Sequence, residues 1–242
     1  MRILIANDDG LYSEGIQELA KELSKKHEVV VIAPYKNRSG NSHAITINRG
    51  LEIRRENIID GIESYTINGT PVDCVRLGMF HIMKDRKPDL VLSGVNDEYN
   101  LGKVVINSGT VAVAREANLY DVPSIALSMD TFDFLNSYIG VVENLIENLY
   151  NKEKGKVTYN VNFPKCSLEK FKGVVFTKLG DFKYSEEFVK GSYKGKEVLD
   201  VIGGAVSSQL EGTDDWAIYN NYISVTPLKT DMTDYEELER LK

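Results

Sequence analysis

Apolar residues fall in two rhythms along this chain, and the rhythms alternate. Arg2–Ala6 and residues 28–33, 90–92 and 123–128 are short runs rich in Ile, Leu and Val. Such runs are the mark of parallel strands buried on both faces. Between them, apolar residues recur at helical spacing. Ser13 precedes a helix carrying Ile16, Leu19, Ala20 and Leu23, and Thr70 with Pro71 opens one carrying Val72, Val75, Met79, Ile82 and Met83. Residues 111–118 form a third helix, and residues 133–150 a fourth with Leu135, Ile139, Val142, Leu145, Ile146 and Leu149 facing inward. Residues 44–53 and 64–67 read as further strands. This alternation predicts an α/β fold with a doubly wound, mostly parallel sheet. Beyond residue 150 the rhythm weakens. Residues 157–163 and 174–177 extend the sheet, and 181–195, polar and aromatic, read as an extended arm or hairpin. Residues 218–226 read as a strand, and 233–242 as a terminal helix begun by a Thr233 to Glu236 capping box. Tyr235, Leu238 and Leu241 give that helix only a narrow apolar stripe.

Composition narrows the picture. The 242 residues are 42% hydrophobic, enough for a sizeable core, and the formal charge of -7 argues against wrapping a nucleic-acid polymer. A small nucleotide remains compatible with it. Cys74 and Cys166 form no C-x-x-C pair, and no secretory apolar segment opens the chain, so a cytoplasmic protein with reduced thiols is expected. No run is long enough to span a bilayer. His27, His43 and His81 make no zinc-binding spacing, so any metal here is hard and oxygen-ligated.

The candidate chemistry sits in four polar loops that follow strands: Asn7 to Gly10, Ser39 to Ser42, Ser93 to Asn96, and Asn107 to Thr110. Each alone is an ordinary turn sequence. If the strands are parallel, the loops converge at the carboxyl edge of the sheet, where such folds bind ligands. Asp8 and Asp9 supply charged oxygens, and Ser39 and Asn96 neutral ones. A hard ion such as Mg²⁺ or Mn²⁺ accepts that mixture and keeps open positions. Ser108, Gly109 and Thr110 open a helix, a natural cradle for an anion, and Gly40 and Gly109 let backbone approach it closely. Thr110 is equally a helix N-cap. His43 is a candidate general acid or a solvated loop histidine. A metal beside a phosphate cradle points to phosphoryl transfer to water. The chain has no G-x-G-x-x-G, no P-loop, no D-x-D and no G-x-S-x-G, which disfavours dinucleotide enzymes, P-loop enzymes, aspartyl-phosphate phosphatases and serine hydrolases.

At these residues the chain resembles the SurE family, stationary-phase survival proteins that act as metal-dependent 5'-nucleotidases. The resemblance rests on Ile5 to Gly10, Ser39 to Ser42 with Ile45-Thr46, Gly69 to Val75, Pro88 to Asn96 and Ser108 to Val111. Later stretches are Asn160 to Pro164, Gly212 to Asp214 and Ser224 to Leu228. It implies a Rossmann-like three-layer core over residues 1–180, with one divalent ion on Asp8, Asp9, Ser39 and Asn96. Asp8 and Asn96 would be catalytic, and Ser39, Gly40, Asn96, Ser108, Gly109 and Thr110 would bind phosphate. It further implies hydrolysis of nucleoside monophosphates and a homodimer or tetramer exchanging C-terminal segments from residues 181–242. The rivals are an exopolyphosphatase or broad acid phosphatase at the same site, and a nucleotide-binding stress module without turnover. Members of the family commonly have glycine where this chain has Glu98, and Tyr where it has Asn107.

Overall fold

The computed structural model describes residues 1–152 and 157–242. The chain runs β1 (Arg2–Ala6), α1 (Glu14–Ser24), β2 (Glu28–Pro34), β3 (Ile53–Glu56), β4 (Glu63–Ile67), α2 (Pro71–Leu77), β5 (Leu90–Asn96), α3 (Gly109–Leu119), β6 (Ser124–Met129) and α4 (Leu135–Lys152). It continues with β7 (Thr158–Phe163), β8 (Val174–Phe176), β9 (Lys183–Tyr184), β10 (Glu187–Tyr193), β11 (Lys196–Ile202), β12 (Ala205–Val206), α5 (Asp214–Tyr219), β13 (Ile223–Leu228) and α6 (Tyr235–Arg240).

A nine-stranded sheet in the order β3-β4-β2-β1-β5-β6-β7-β13-β8 forms the middle layer. Its pairs are parallel except β3 with β4 and β7 with β13. Strand alternation divides β1 between two helical layers. Ile3 and Ile5 pack with α1 and α4 through Ile16, Leu19, Leu23, Leu135 and Ile139. Leu4 and Ala6 pack on the other face with α2 and α3 through Val75, Val113 and Ala117. The three-layer α/β fold is thus as expected. β1 pairs with β2 on one side and β5 on the other, so the strand order reverses at β1. A crevice opens at the carboxyl end of the strands at such a reversal.

Several elements depart from the pattern-based reading, each for a local reason. Residues 44–52 are irregular, and the strand begins only at Ile53, because the segment's backbone is engaged elsewhere. Thr46 N donates to Asp73, and the Thr70 hydroxyl donates to the Ala44 carbonyl. The strand expected at 90–92 continues to Asn96, all of it buried, with a register shift between Ser93 and Asn96. Residue 218 lies in α5 rather than in a strand, because Thr213 caps a helix over Asp214–Tyr219. Ser13 stands at the N-cap of α1 without a side-chain bond, and Asp234, not Thr233, caps α6. The arm expected after residue 180 is present as the antiparallel hairpin β10–β11, joined to the body through a short β9–β12 pair. Among the described residues no helix is long and apolar enough to cross a membrane.

Buried polar groups tie the later elements to the crevice. The Asp214 carboxylate accepts from the backbone N–H of Gly102 and Gly180, each at 2.8 Å, and of Asp215 at 2.9 Å. The Asn100 carbonyl accepts from Asn160 at 2.7 Å and Asn162 at 3.0 Å, while Asn100 N donates to Asn162 Oδ1 at 2.9 Å. Both networks fix the segment after β5. Asp214→Ala strands the buried Gly102 donor and leaves the half-buried Gly180 donor unpaired, and unpaired buried donors are costly. The expected loss is about 3 kcal/mol of stability, read as a fall in the urea midpoint. A change below about 0.5 kcal/mol, the scale of an ordinary surface substitution, would show that water replaces the carboxylate.

Candidate active site

The crevice holds a cavity of about 340 Å³ lined by Asp8, Asn37, Ser39, Gly40, Asn96, Asp97, Glu98, Tyr99, Asn100, Val104, Asn107, Ser108 and Tyr184. The sequence-predicted residues Asp8, Ser39, Gly40, Asn96 and Ser108 therefore meet on one wall system. Asp9, Gly109 and Thr110 stand outside this lining and act through what they hold.

β1 delivers Asp8 to the crevice because the strand's buried run ends one residue earlier, at an Asn7 turn closed onto Gly10. Asp8 is only 3% exposed. Its Oδ1 accepts from the hydroxyl of fully buried Thr110, at the start of α3. A side chain at Gly109 would put its Cβ 2.7 Å from Asp8 Oδ2, so only glycine lets the helix end come this close. The expected anion cradle thus already carries an anion, the Asp8 carboxylate. Burial pushes the Asp8 pKa up, while the hydroxyl and backbone N–H of Thr110 pull against that rise. Ser108, not Thr110, is the N-cap of α3, its Oγ accepting from Val111 N at 3.0 Å.

Asp9 is held less firmly. Asn37 donates to Oδ1 at 3.2 Å, and Oδ2 is buried without a hydrogen-bond partner. Burial, then the charges of Asp8, Asp97 and Glu98, raise its pKa to about 7. The loop from Tyr35 to His43 is anchored by Arg38 N on the Asp8 carbonyl, 2.7 Å, and by Ser42 Oγ on the Ile106 carbonyl, 2.7 Å. Gly40 takes φ +73° at the exposed tip, a turn geometry, with open space around it. Asn96 donates Nδ2 to the Glu98 carbonyl at 2.7 Å, which leaves Oδ1 as the atom able to hold a cation. His43 is neither free nor at the cavity: its Nε2 lies 2.8 Å from Oε2 of buried Glu116. That pairing replaces the expected solvated or acid-donating role.

Asp8, Asp9, Ser39 and Asn96 offer hard oxygens alone, and the orphaned Asp9 Oδ2 fits a cation ligand. Among the described residues no three or more His, Cys, Asp or Glu side chains come close enough together to hold a metal ion by themselves. That suits an ion that keeps waters better than an all-protein cage. Residues the sequence reading passed over are Asn37, Asp97, Tyr99 and Asn100. The visible signal for the last was the alternate Asn160 and Asn162 inside a buried strand, which had to have a polar partner.

A second cavity of about 460 Å³ adjoins the first and shares Glu98, Tyr99 and Tyr184 with it. Phe182 and Tyr219 also line it. Tyr184, within the aromatic arm, thus borders the site, and Tyr193, on the exposed hairpin, does not.

Comparison with known proteins accords with this geometry. Residues 3–186 match the family model described as Survival protein SurE. The chain is 40% identical over 248 residues to the 5'-nucleotidase SurE of Alkaliphilus metalliredigens (strain QYMF), covering 100% of this chain and 98% of that one. It is 41% identical over 246 residues to the 5'-nucleotidase SurE of Thermoanaerobacter sp. (strain X514), covering 100% and 97%. The crystal structure of the SurE protein from Aquifex aeolicus is similar at a TM-score of 0.85, with 35% identity over 100% of this chain and 98% of that one.

The Asp9 environment sets a pH dependence for the protein without divalent ions. Folded Asp9 keeps its proton up to about 7, whereas the unfolded chain releases it near the ordinary 3.8. Between those values the folded state binds more protons, so this group's contribution to stability falls as pH rises. In chelator, wild type should lose stability across that window relative to Asp9→Asn, and added Mg²⁺ or Mn²⁺ should restore it. Parallel denaturation midpoints for the two proteins would show Asp9 to be solvated.

Proposed function

The chain belongs to the SurE family, and from that membership and the site we propose that it is a 5'-nucleotidase hydrolysing nucleoside 5'-monophosphates to nucleoside and phosphate. The carrying observation is a carboxylate pair, Asp8 buried and Asp9 half-buried with one buried oxygen unpartnered, beside a cavity that adjoins an aromatic-lined one.

Asp8, Asp9, Ser39 and Asn96 would hold one divalent ion, Mg²⁺ or Mn²⁺. When bound, the ion supplies Lewis acidity and neutralises charge at the phosphate. The Asp8 carboxylate, fixed on Oδ1 by Thr110 and lining the cavity, accepts the proton of the attacking water. Ser108 uses its lone pair on Val111 N, so its O–H is free to donate to a phosphate oxygen. Gly40 keeps one wall of the cavity free of a side chain, and Gly109 lets the start of α3 close on Asp8. The second Nδ2 proton of Asn96 is available to the transferring group as its charge spreads. Tyr99, Tyr184 and Tyr219 offer ring faces for a base in the neighbouring cavity.

Two further parts of the reading rest on other observations. Free, buried Cys74 and Cys166 support a cytoplasmic setting. The exposed apolar residues Phe188, Leu199 and Val201 on the hairpin, with Met232, Tyr235, Leu238 and Leu241 near the C-terminus, support a homodimer or tetramer built from residues 181–242. A six-residue helix with no buried residue is marginal alone. An exchanged segment docks it at low cost.

Phosphate release from nucleoside monophosphates, after chelation and re-addition of Mn²⁺ or Mg²⁺, tests the activity. Asp8→Asn should lower kcat by about a hundredfold or more, the range for a lost general base, with the fold intact by circular dichroism. Wild-type protein inactive with every divalent ion would overturn the assignment. For assembly, deleting residues 229–242 should weaken association more than it lowers the rate per site, as read by light scattering. A monomeric full-length protein, or a truncated one as fully associated as the intact chain, contradicts the exchange.

A further inference from the structure

The electrostatics of the two cavities say which phosphate compounds fit. Asp8, Asp97 and Glu98 line the first, and no Lys or Arg does. Arg38, in the adjoining loop, is not part of its lining. The second holds Glu98 and Asp130 against one cation, Lys165, whose Nζ is already 3.0 Å from Asp130 Oδ2. A bound divalent ion carries two positive charges, which Asp8 and Asp9 already match, so every phosphate brought in adds negative charge to an acidic lining. No cation on the lining compensates it, and a second phosphate doubles the excess.

Glu98 stands at the junction, since it lines both cavities. Its charge acts on Asp9 to one side and on Tyr184 to the other, and that of Asp97 reaches both Asp8 and Asp9. The backbone here is rigid: the Glu98 carbonyl is held by Asn96, and Asn100 is locked by Asn160 and Asn162. The two acidic side chains therefore cannot be carried away from an incoming ligand by a loop shift without breaking buried hydrogen bonds. Asp97 and Glu98 are both exposed, so their field on the crevice is partly screened by solvent and weakens as salt is added.

We propose that Asp97 and Glu98 form an acidic sill between the cavities, admitting a phosphomonoester with an uncharged leaving group and rejecting compounds that carry a second phosphate. This inference rests on the phosphomonoesterase reading above and narrows its substrate class. A ribose and base crossing the sill meet hydrogen-bond acceptors and tyrosine rings. A β-phosphate crossing it meets two carboxylates, and like charges brought together cost specificity-scale energies.

The test compares kcat/KM for AMP and for tripolyphosphate at matched free Mn²⁺ and ionic strength. Wild type should favour AMP, and raising the salt should narrow the preference. Glu98→Gln, which keeps the side-chain volume, should raise the tripolyphosphate-to-AMP ratio about tenfold, the scale of one like-charge contact removed. The Asp97→Asn, Glu98→Gln double variant should raise it further, with melting temperatures checked for both. A ratio within twofold of wild type in both variants overturns the sill while leaving the nucleotidase intact, as does a wild-type preference for tripolyphosphate. Release from neither compound by wild type overturns the sill together with the reading it rests on.

Discussion

The seating of the Asp8 carboxylate on the first turn of α3 is the constraint from which the rest of the site follows. A helix begins with unpaired N–H groups and a partial positive charge, and it attracts an anion. Here the chain supplies its own. Thr110 donates to Asp8, and the missing side chain at Gly109 removes the atom that would hold them apart. Asp8 is thereby oriented at the cost of burial, which raises its pKa, and the neighbouring Asp9 inherits the repulsion. Two carboxylates under such strain are a standing demand for a cation. The demand arises from packing, not from any one side chain.

That junction works only because the elements around it cannot move independently. β1 lies between β2 and β5, so the loops after all three strands open on one crevice. Hydrogen bonds then cross between loops: Arg38 N to the Asp8 carbonyl, Asn37 to Asp9, Ser42 to Ile106. Asparagines in β7 hold the segment after β5 from below, and Asp214 holds its far end at Gly102. Polar groups buried in this way are costly unless fully paired, so they specify one arrangement of the loops. Asp97 and Glu98 ride on that segment, which makes their charge a fixed property of the cavity.

The chain beyond residue 180 serves two ends. β13 and α5 complete the sheet and anchor the crevice through Asp214, while Phe182 and Tyr184 turn back to line the cavities. The β10–β11 hairpin and α6 instead project apolar side chains outward. A two-stranded hairpin has little stability of its own, and its apolar residues Phe188, Leu199 and Val201 stand exposed.

The sequence alone determined the central strands, the four helices that flank them and the order of the polar loops, because buried strands and amphipathic helices carry periods readable from neighbouring residues. The place of the paired aspartates and Asn96 at strand ends was legible for the same reason, whereas Ser39, five residues beyond β2, was singled out through the family resemblance. It misread segments whose partners are distant. Residues 44–52 lose their strand to Asp73 and Thr70, residue 218 joins a helix started by Thr213, and His43 is drawn away to Glu116. Only the tertiary structure decided that Thr110 serves Asp8, that Asn100 is pinned by β7, and that Glu98 stands between two cavities. Those outcomes depend on long-range contacts that desolvate charges and pair buried polar atoms, and neither effect leaves a periodic trace in the sequence.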